Sequence, residues 1–134
     1  MSREAILEAV YFYQFDHNAS GQQRAAGVYC LALSLAGEKD KDPSPTLLGA
    51  FKDHTPPVKP VSQCKHSMAG VYDRETGNRG LIFYISQVDI ISDTEATAAG
   101  GYYEGGLSSS GNTYHLTKAE GGWKVTADQM HWIS

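Results

Sequence analysis

The chain is poor in cysteine, in clustered basic charge and in long apolar runs, and each shortage excludes a class of protein. Its only cysteines, Cys30 and Cys64, lie too far apart for a zinc ribbon or a redox pair, where close spacings are required. Two buried, reduced thiols are the expected state, with a disulfide between them as the alternative and a catalytic thiol as a third. The 11 basic residues are scattered and outnumbered by 15 acidic ones, giving a net charge of −4. Nucleic-acid binders draw affinity from clustered Lys and Arg that release counterions, so no nucleic-acid partner is expected, nor an anionic membrane.

No apolar stretch approaches the ~20 residues needed to span a bilayer. The start, Met-Ser-Arg-Glu, is not a basic segment followed by an apolar one, so no signal peptide is read and a cytoplasmic protein is expected, a trimmed secreted one being the alternative. His54, His66 and His115 form no HxH or HExxH spacing, so no metal or other cofactor is expected. The Gly105 to Gly111 segment lacks the Lys-Ser/Thr pair and following helix of a phosphate loop and reads as a hairpin loop. No serine sits in a nucleophile-elbow context.

What is present fits one domain over residues 1–134, 41% hydrophobic and 19% charged, an ordinary globular composition. The fold class expected is α+β: an N-terminal helix packed in a curved antiparallel sheet, as a cone or α+β barrel, with a second short helix at about 44–53. Residues 3–18 have helical periodicity, with Ile6, Val10, Tyr13 and His17 on one stripe beside Leu7 and Gln14, and Phe12 and Phe15 broadening it. Ser2 is the candidate N-cap, and Asn18 to Gly21 the stop. Val28 to Leu35 reads as a strand with Cys30 on one face and Tyr29 and Leu31 on the other. Glu38 to Asp42, alternating in sign, reads as a solvated loop. Pro43 and Pro45 suit the first turn of the second helix, whose buried stripe is Leu47, Leu48 and Phe51. Pro60 restricts Val58 to Lys65 to an edge strand or irregular chain.

Leu81 to Ile91 is the strongest strand, apolar on both faces and so expected at the centre of the sheet. Thr94 to Glu104, Asn112 to Ala119 and Trp123 to Trp132 follow it through short turns as an antiparallel meander. Trp123 and Val125 should face the core. Unbroken alternation then carries His131 inward and puts Asp128 outside, and a bulge would reverse the two. Asp89 is the one acid embedded in a strong strand, where alternation places it with Gln87 and Ile91; it is the candidate buried carboxylate of the chain, although an exposed face is the stronger expectation.

Gln87 to Ile91, Ser92-Asp93 and Thr94 to Ala98, with the hairpin Tyr114 to Val125 and its Gly121-Gly122-Trp123 turn, resemble the C-terminal part of nuclear transport factor 2-like domains, including the SnoaL-like and cystatin-like cones. The resemblance covers residues 81–134 best. It implies a last strand that closes a cone around the first helix, a cavity for a small apolar or aromatic ligand, and a homodimer formed through the sheet. Tyr13, His17, Tyr102, Tyr114 and His131 are the residues expected to fix the ligand's polar end. The same resemblance offers two alternatives: a homodimeric interaction domain without ligand, using Tyr84, Tyr103 and Trp132, or an isomerase, hydratase or hydrolase with a buried His or Asp as acid and base.

Overall fold

A computed structural model describes residues 2–17, 26–35, 41–67, 69–105 and 108–133. It begins with helix α1, Ser2–His17. The buried stripe of α1 runs Ile6, Leu7, Val10, Tyr11, Gln14 and Phe15, pairs of neighbours repeating every fourth residue. The expected stripe is therefore rotated: Tyr13 is half-buried and His17 exposed. Ser2 is the first helical residue and not the cap, and the proposed stop at 18–21 lies outside the described residues, as does most of the 38–42 charge run.

Eight strands form one curved, unclosed, mixed sheet. They are β1 (Val28–Leu33), β2 (Val58–Pro60), β3 (Cys64–Ser67), β4 (Gly70–Asp73), β5 (Arg79–Ile90), β6 (Glu95–Gly105), β7 (Ser108–Ala119) and β8 (Gly122–Ile133). The main path runs β2-β1-β5-β6-β7-β8, with the β3–β4 hairpin attached through β4 to β5. The fold class is as expected, α+β with an N-terminal helix, a short second helix and a curved sheet, but the sheet is mixed where an antiparallel one was expected: β1 is parallel to both β2 and β5. Parallel partners need long crossovers, and nothing local in the sequence marks them. The expected closure is corrected too, because β8 remains a free end of the sheet. Helix α2, Pro45–Gly49, is capped by the Ser44 side chain, which accepts from the Leu47 N–H, and it is shorter than the expected 44–53.

The meander from β5 to β8 is as read, except that Gly105 and Ser108 to Gly111, expected in a loop, are in strands, while Gly106 and Leu107 lie outside the described residues. Ser108 to Gly111 are in β7, paired with β6 and β8. At the opposite hairpin, Gly122 has φ +100°, a left-handed conformation glycine adopts without penalty. The pairing register shifts at Ser86 in β5, at Glu104 in β6, and at Thr126 and His131 in β8. Such bulges bend the strand that carries them, and the concave side so formed holds α1.

Two cores result. The larger lies between α1, α2 and the concave face, and includes Phe15, Tyr29, Leu31, Phe51, Phe83, Tyr114 and Trp123. The smaller, on the other face, gathers Val28, Cys30, Ala32, Val61, Cys64, Val71 and Ile82 under the β3–β4 hairpin. The division of β1 into a Cys30 face and a Tyr29/Leu31 face is as expected. The cysteines are not: Cys30 and Cys64 are joined in a disulfide, Cα to Cα 6.5 Å. The turn of 3-10 helix at Val61–Gln63 folds β3 back against β1, a return that spacing alone does not disclose.

Asp73, almost fully buried, is the anchor of this hairpin. It accepts from Lys59 Nζ at 2.8 Å, from the Glu75 N–H at 3.0 Å and from Thr76 Oγ1 at 3.0 Å. Burial pushes its carboxyl up, and these donors outweigh that and hold it below the ordinary Asp value. Among the described residues, no helix is long and apolar enough to cross a membrane.

Candidate functional site

The concave face meets α1 around a buried polar cluster centred on Gln14, which is fully buried. Its Nε2 donates to the carbonyl oxygens of Tyr84 at 3.0 Å and Gly101 at 3.2 Å, and lies 3.2 Å from Tyr114 Oη. Carbonyls only accept, so they fix the amide with its nitrogen towards the sheet. The amide can enter this far because Gly100 is beneath it: a Cβ there would be 2.2 Å from Tyr84 O and 3.2 Å from Gln14 Nε2. Gln14→Leu leaves both carbonyls without that donor, and a loss of about 1–3 kcal/mol is expected in urea unfolding. Gln14→Glu, which sets an acceptor against two carbonyls, is expected to cost more.

The cluster continues across the sheet. Tyr114 packs edge-on against Tyr13, ring centroids 5.7 Å apart. The Tyr13 hydroxyl is hydrogen-bonded to Asp128, whose Oδ1 accepts from Asn112 Nδ2 at 2.7 Å. Asn112 Oδ1 in turn accepts from Ser110 Oγ at 2.9 Å. Burial, then the nearby Asp128, raises the Tyr13 phenol above its ordinary value. Burial likewise pushes Tyr114 far up, with Asp128, Tyr84 and Tyr13 adding to it and the Gln14 bond opposing. Both phenols therefore stay protonated at neutral pH and act as hydrogen-bonding groups, not as bases.

Asp128 reaches this site because of a bulge. Val125 pairs with Leu116 and Ala127 with His115, which leaves Thr126 as the extra residue. The faces of β8 exchange at that point: Trp123 and Val125 are on the concave side before it, Asp128 after it. The expectation of Asp128 outside and His131 inside is thus reversed. His131 is exposed and bonds Thr113 Oγ1 through Nε2.

Alongside the cluster, α1 and the start of β8 leave a groove of 590 Å³. Its helix wall carries Phe12, Tyr13 and His17, and its strand wall Trp123, Lys124 and Val125. The rings of Tyr13 and His17 stack at 4.1 Å, and His17 Nδ1 is 3.1 Å from the Tyr13 carbonyl oxygen. Phe12, 45% exposed, and Trp123, 9% exposed, supply apolar surface on opposite walls. Two buried polar atoms in this region have no hydrogen-bond partner among the described residues: Gln14 Oε1 and Trp123 Nε1.

Comparison with known proteins gives no match. No protein-family model, curated protein or solved structure is recognisably similar to the chain.

Of the five residues expected to bind a ligand, the fold brings together Tyr13, His17 and Tyr114. Tyr102 lies in the main core opposite Phe83, and His131 is on the other face. Tyr84 and Tyr103, expected as exposed aromatics, pack against the smaller core. Their hydroxyls donate to the carbonyl oxygens of Ser110 at 2.7 Å and Ser67 at 3.0 Å. The Trp132 side chain lies outside the described residues. Asp89 is exposed and accepts from Gln87 Nε2 at 2.7 Å, as its strand position implies. Gln14, Ser110 and Asn112, the polar residues most deeply placed in the site, were not singled out from sequence. The only local sign was a polar residue on the apolar stripe of α1.

Proposed function

We propose that the domain binds a small, largely apolar or aromatic ligand in the groove between α1 and β8, with a hydrogen-bond acceptor of the ligand meeting the indole N–H of Trp123. The carrying observation is that Trp123 forms part of the groove wall while its Nε1 is buried with no partner among the described residues; the atom is closed to solvent in the ligand-free protein, so the indole edge turns towards the groove as the ligand enters. An unpaired buried donor costs about 1–3 kcal/mol, and an acceptor brought by a ligand would relieve that cost. The groove volume, 590 Å³, is within the roughly 300–1,000 Å³ of small-molecule sites. Phe12, Tyr13 and the Trp123 ring would hold the apolar body. The resemblance to nuclear transport factor 2-like domains belongs to the same proposal, supported by a first helix cradled on the concave side of a four-stranded meander.

A fragment library screened by thermal shift, with affinities measured by calorimetry, tests this reading. Aromatic fragments bearing a carbonyl or phenol oxygen are expected to stabilise the protein. Trp123→Phe removes the unpaired N–H at a modest loss of packing, so its ligand-free stability should stay within about 1 kcal/mol of the parent. Its affinity for those fragments should fall roughly two- to tenfold, the value of one hydrogen bond. A library without a single stabilising fragment, or a variant that binds as tightly as the parent, would overturn the reading.

A further inference from the structure

Resting on that groove reading, we infer that the ligand carries an organic ammonium group, because the groove joins an aromatic lining to a surplus of carboxylates. Glu8 and Asp16 both border the groove. They stand eight residues apart on α1, about 12 Å or two turns, with Phe12 and Tyr13 between them. Tyr13, between them, is hydrogen-bonded to a third carboxylate, Asp128. Against these the strand wall sets one ammonium, Lys124, which is exposed on a flexible stem. No ion pair joins Glu8 or Asp16 to Lys124 among the described residues.

The rings between the carboxylates are the second half of the argument. The faces of Phe, Tyr and Trp attract cations within about 6 Å of the ring, and Phe12, Tyr13 and Trp123 all border the groove. A carboxylate-bearing ligand would meet Glu8 and Asp16 as like charges, with Lys124 as its one opposite charge on the strand wall, and its charge would gain nothing from the ring faces. A neutral one would use the rings and the Trp123 N–H only. A cation with an aromatic body and one oxygen acceptor uses the donor, the rings and the carboxylates together: oxygen to the indole N–H, body against the rings, ammonium towards Glu8 or Asp16.

Three probes with one aromatic body separate these cases. Tyramine, 2-(4-hydroxyphenyl)ethanol and 4-hydroxyphenylacetate share the phenol and differ in ending as ammonium, hydroxyl or carboxylate. Calorimetry on the full chain is expected to rank them in that order, with tyramine about tenfold tighter than the alcohol. The double variant Glu8→Gln, Asp16→Asn should remove tyramine's advantage and leave the alcohol unchanged, which a folding defect would not do. Equal affinity for alcohol and amine, or preference for the carboxylate, would overturn the ammonium inference while leaving the groove reading intact. Binding of none of the three would also overturn it, and the fragment screen then decides the groove separately.

Discussion

Breaking the Cys30–Cys64 bond is expected to lower the stability of the domain by about 3–4 kcal/mol, the chain-entropy value for closing a loop of this length. The bridged positions are 34 residues apart in sequence. For a chain of this size the loss corresponds to roughly 10–20 °C in Tm. The effect should be concentrated in one place. Among the described residues the β3–β4 hairpin pairs with the main sheet at Val71–Gly80 and Tyr72–Arg79. The disulfide, the Lys59–Asp73 ion pair, the Tyr103–Ser67 hydrogen bond and the smaller core supply the other ties. Hydrogen exchange should therefore accelerate most over Cys64–Asp73 when the bond is reduced, while β6 to β8 remain protected. Urea unfolding with and without reductant, repeated on Cys30→Ala, Cys64→Ala, measures the energy. Protein folded in a reducing medium should match the reduced form. A shift of less than about 1 kcal/mol would show that the bridge is not a main tie.

Phe15→Ala is expected to cost about 3–5 kcal/mol, the range for removing a buried aromatic side chain. Phe15 is the point at which α1 meets three other elements. Its ring lies 5.0 Å from that of Tyr29 in β1 and 5.2 Å from those of Phe83 in β5 and Phe51 after α2. The His54 ring is 4.9 Å away. Edge-to-face and tilted pairs of this kind add about 0.5–1.5 kcal/mol beyond burial, so the loss should lie at the upper end. Phe15→Leu keeps most of the apolar volume and should cost below about 2 kcal/mol. Chemical denaturation of the two variants checks the ranking. If Phe15→Ala unfolds like the parent, α1 is not held to the sheet through this cluster.

The elements of this fold were legible where the signal is local. The period of α1, the apolar run of β5, the breaks at Ser92-Asp93 and Gly121-Gly122, and the start of α2 at its prolines each follow from residues within one or two turns of chain. The features missed depend on distant partners. Parallel pairing of β1 with β5 is set by a crossover containing α2 and three strands, β2, β3 and β4. The disulfide depends on where the Val61–Gln63 turn directs β3. The site suffered most at a single residue. Alternation along β8 holds from Trp123 to Val125, and one extra residue, Thr126, exchanges the faces. That exchange brings Asp128 to Tyr13 and puts His131 outside. The rotation of the buried stripe on α1 likewise exchanged the roles of His17 and Gln14. His17 caps a backbone carbonyl at the surface, and Gln14 is the polar centre of the interior.

The indole resonance of Trp123 in a nitrogen–proton correlation spectrum tests the central claim most directly. Titration with the tightest-binding fragment should move the Trp123 signal downfield as its N–H gains an acceptor, with the backbone amides of Tyr13 and Val125 shifting at the same midpoint. A bound fragment that leaves the Trp123 indole unmoved, or that shifts only residues of the opposite face such as His66 and Tyr103, would contradict a ligand site between α1 and β8.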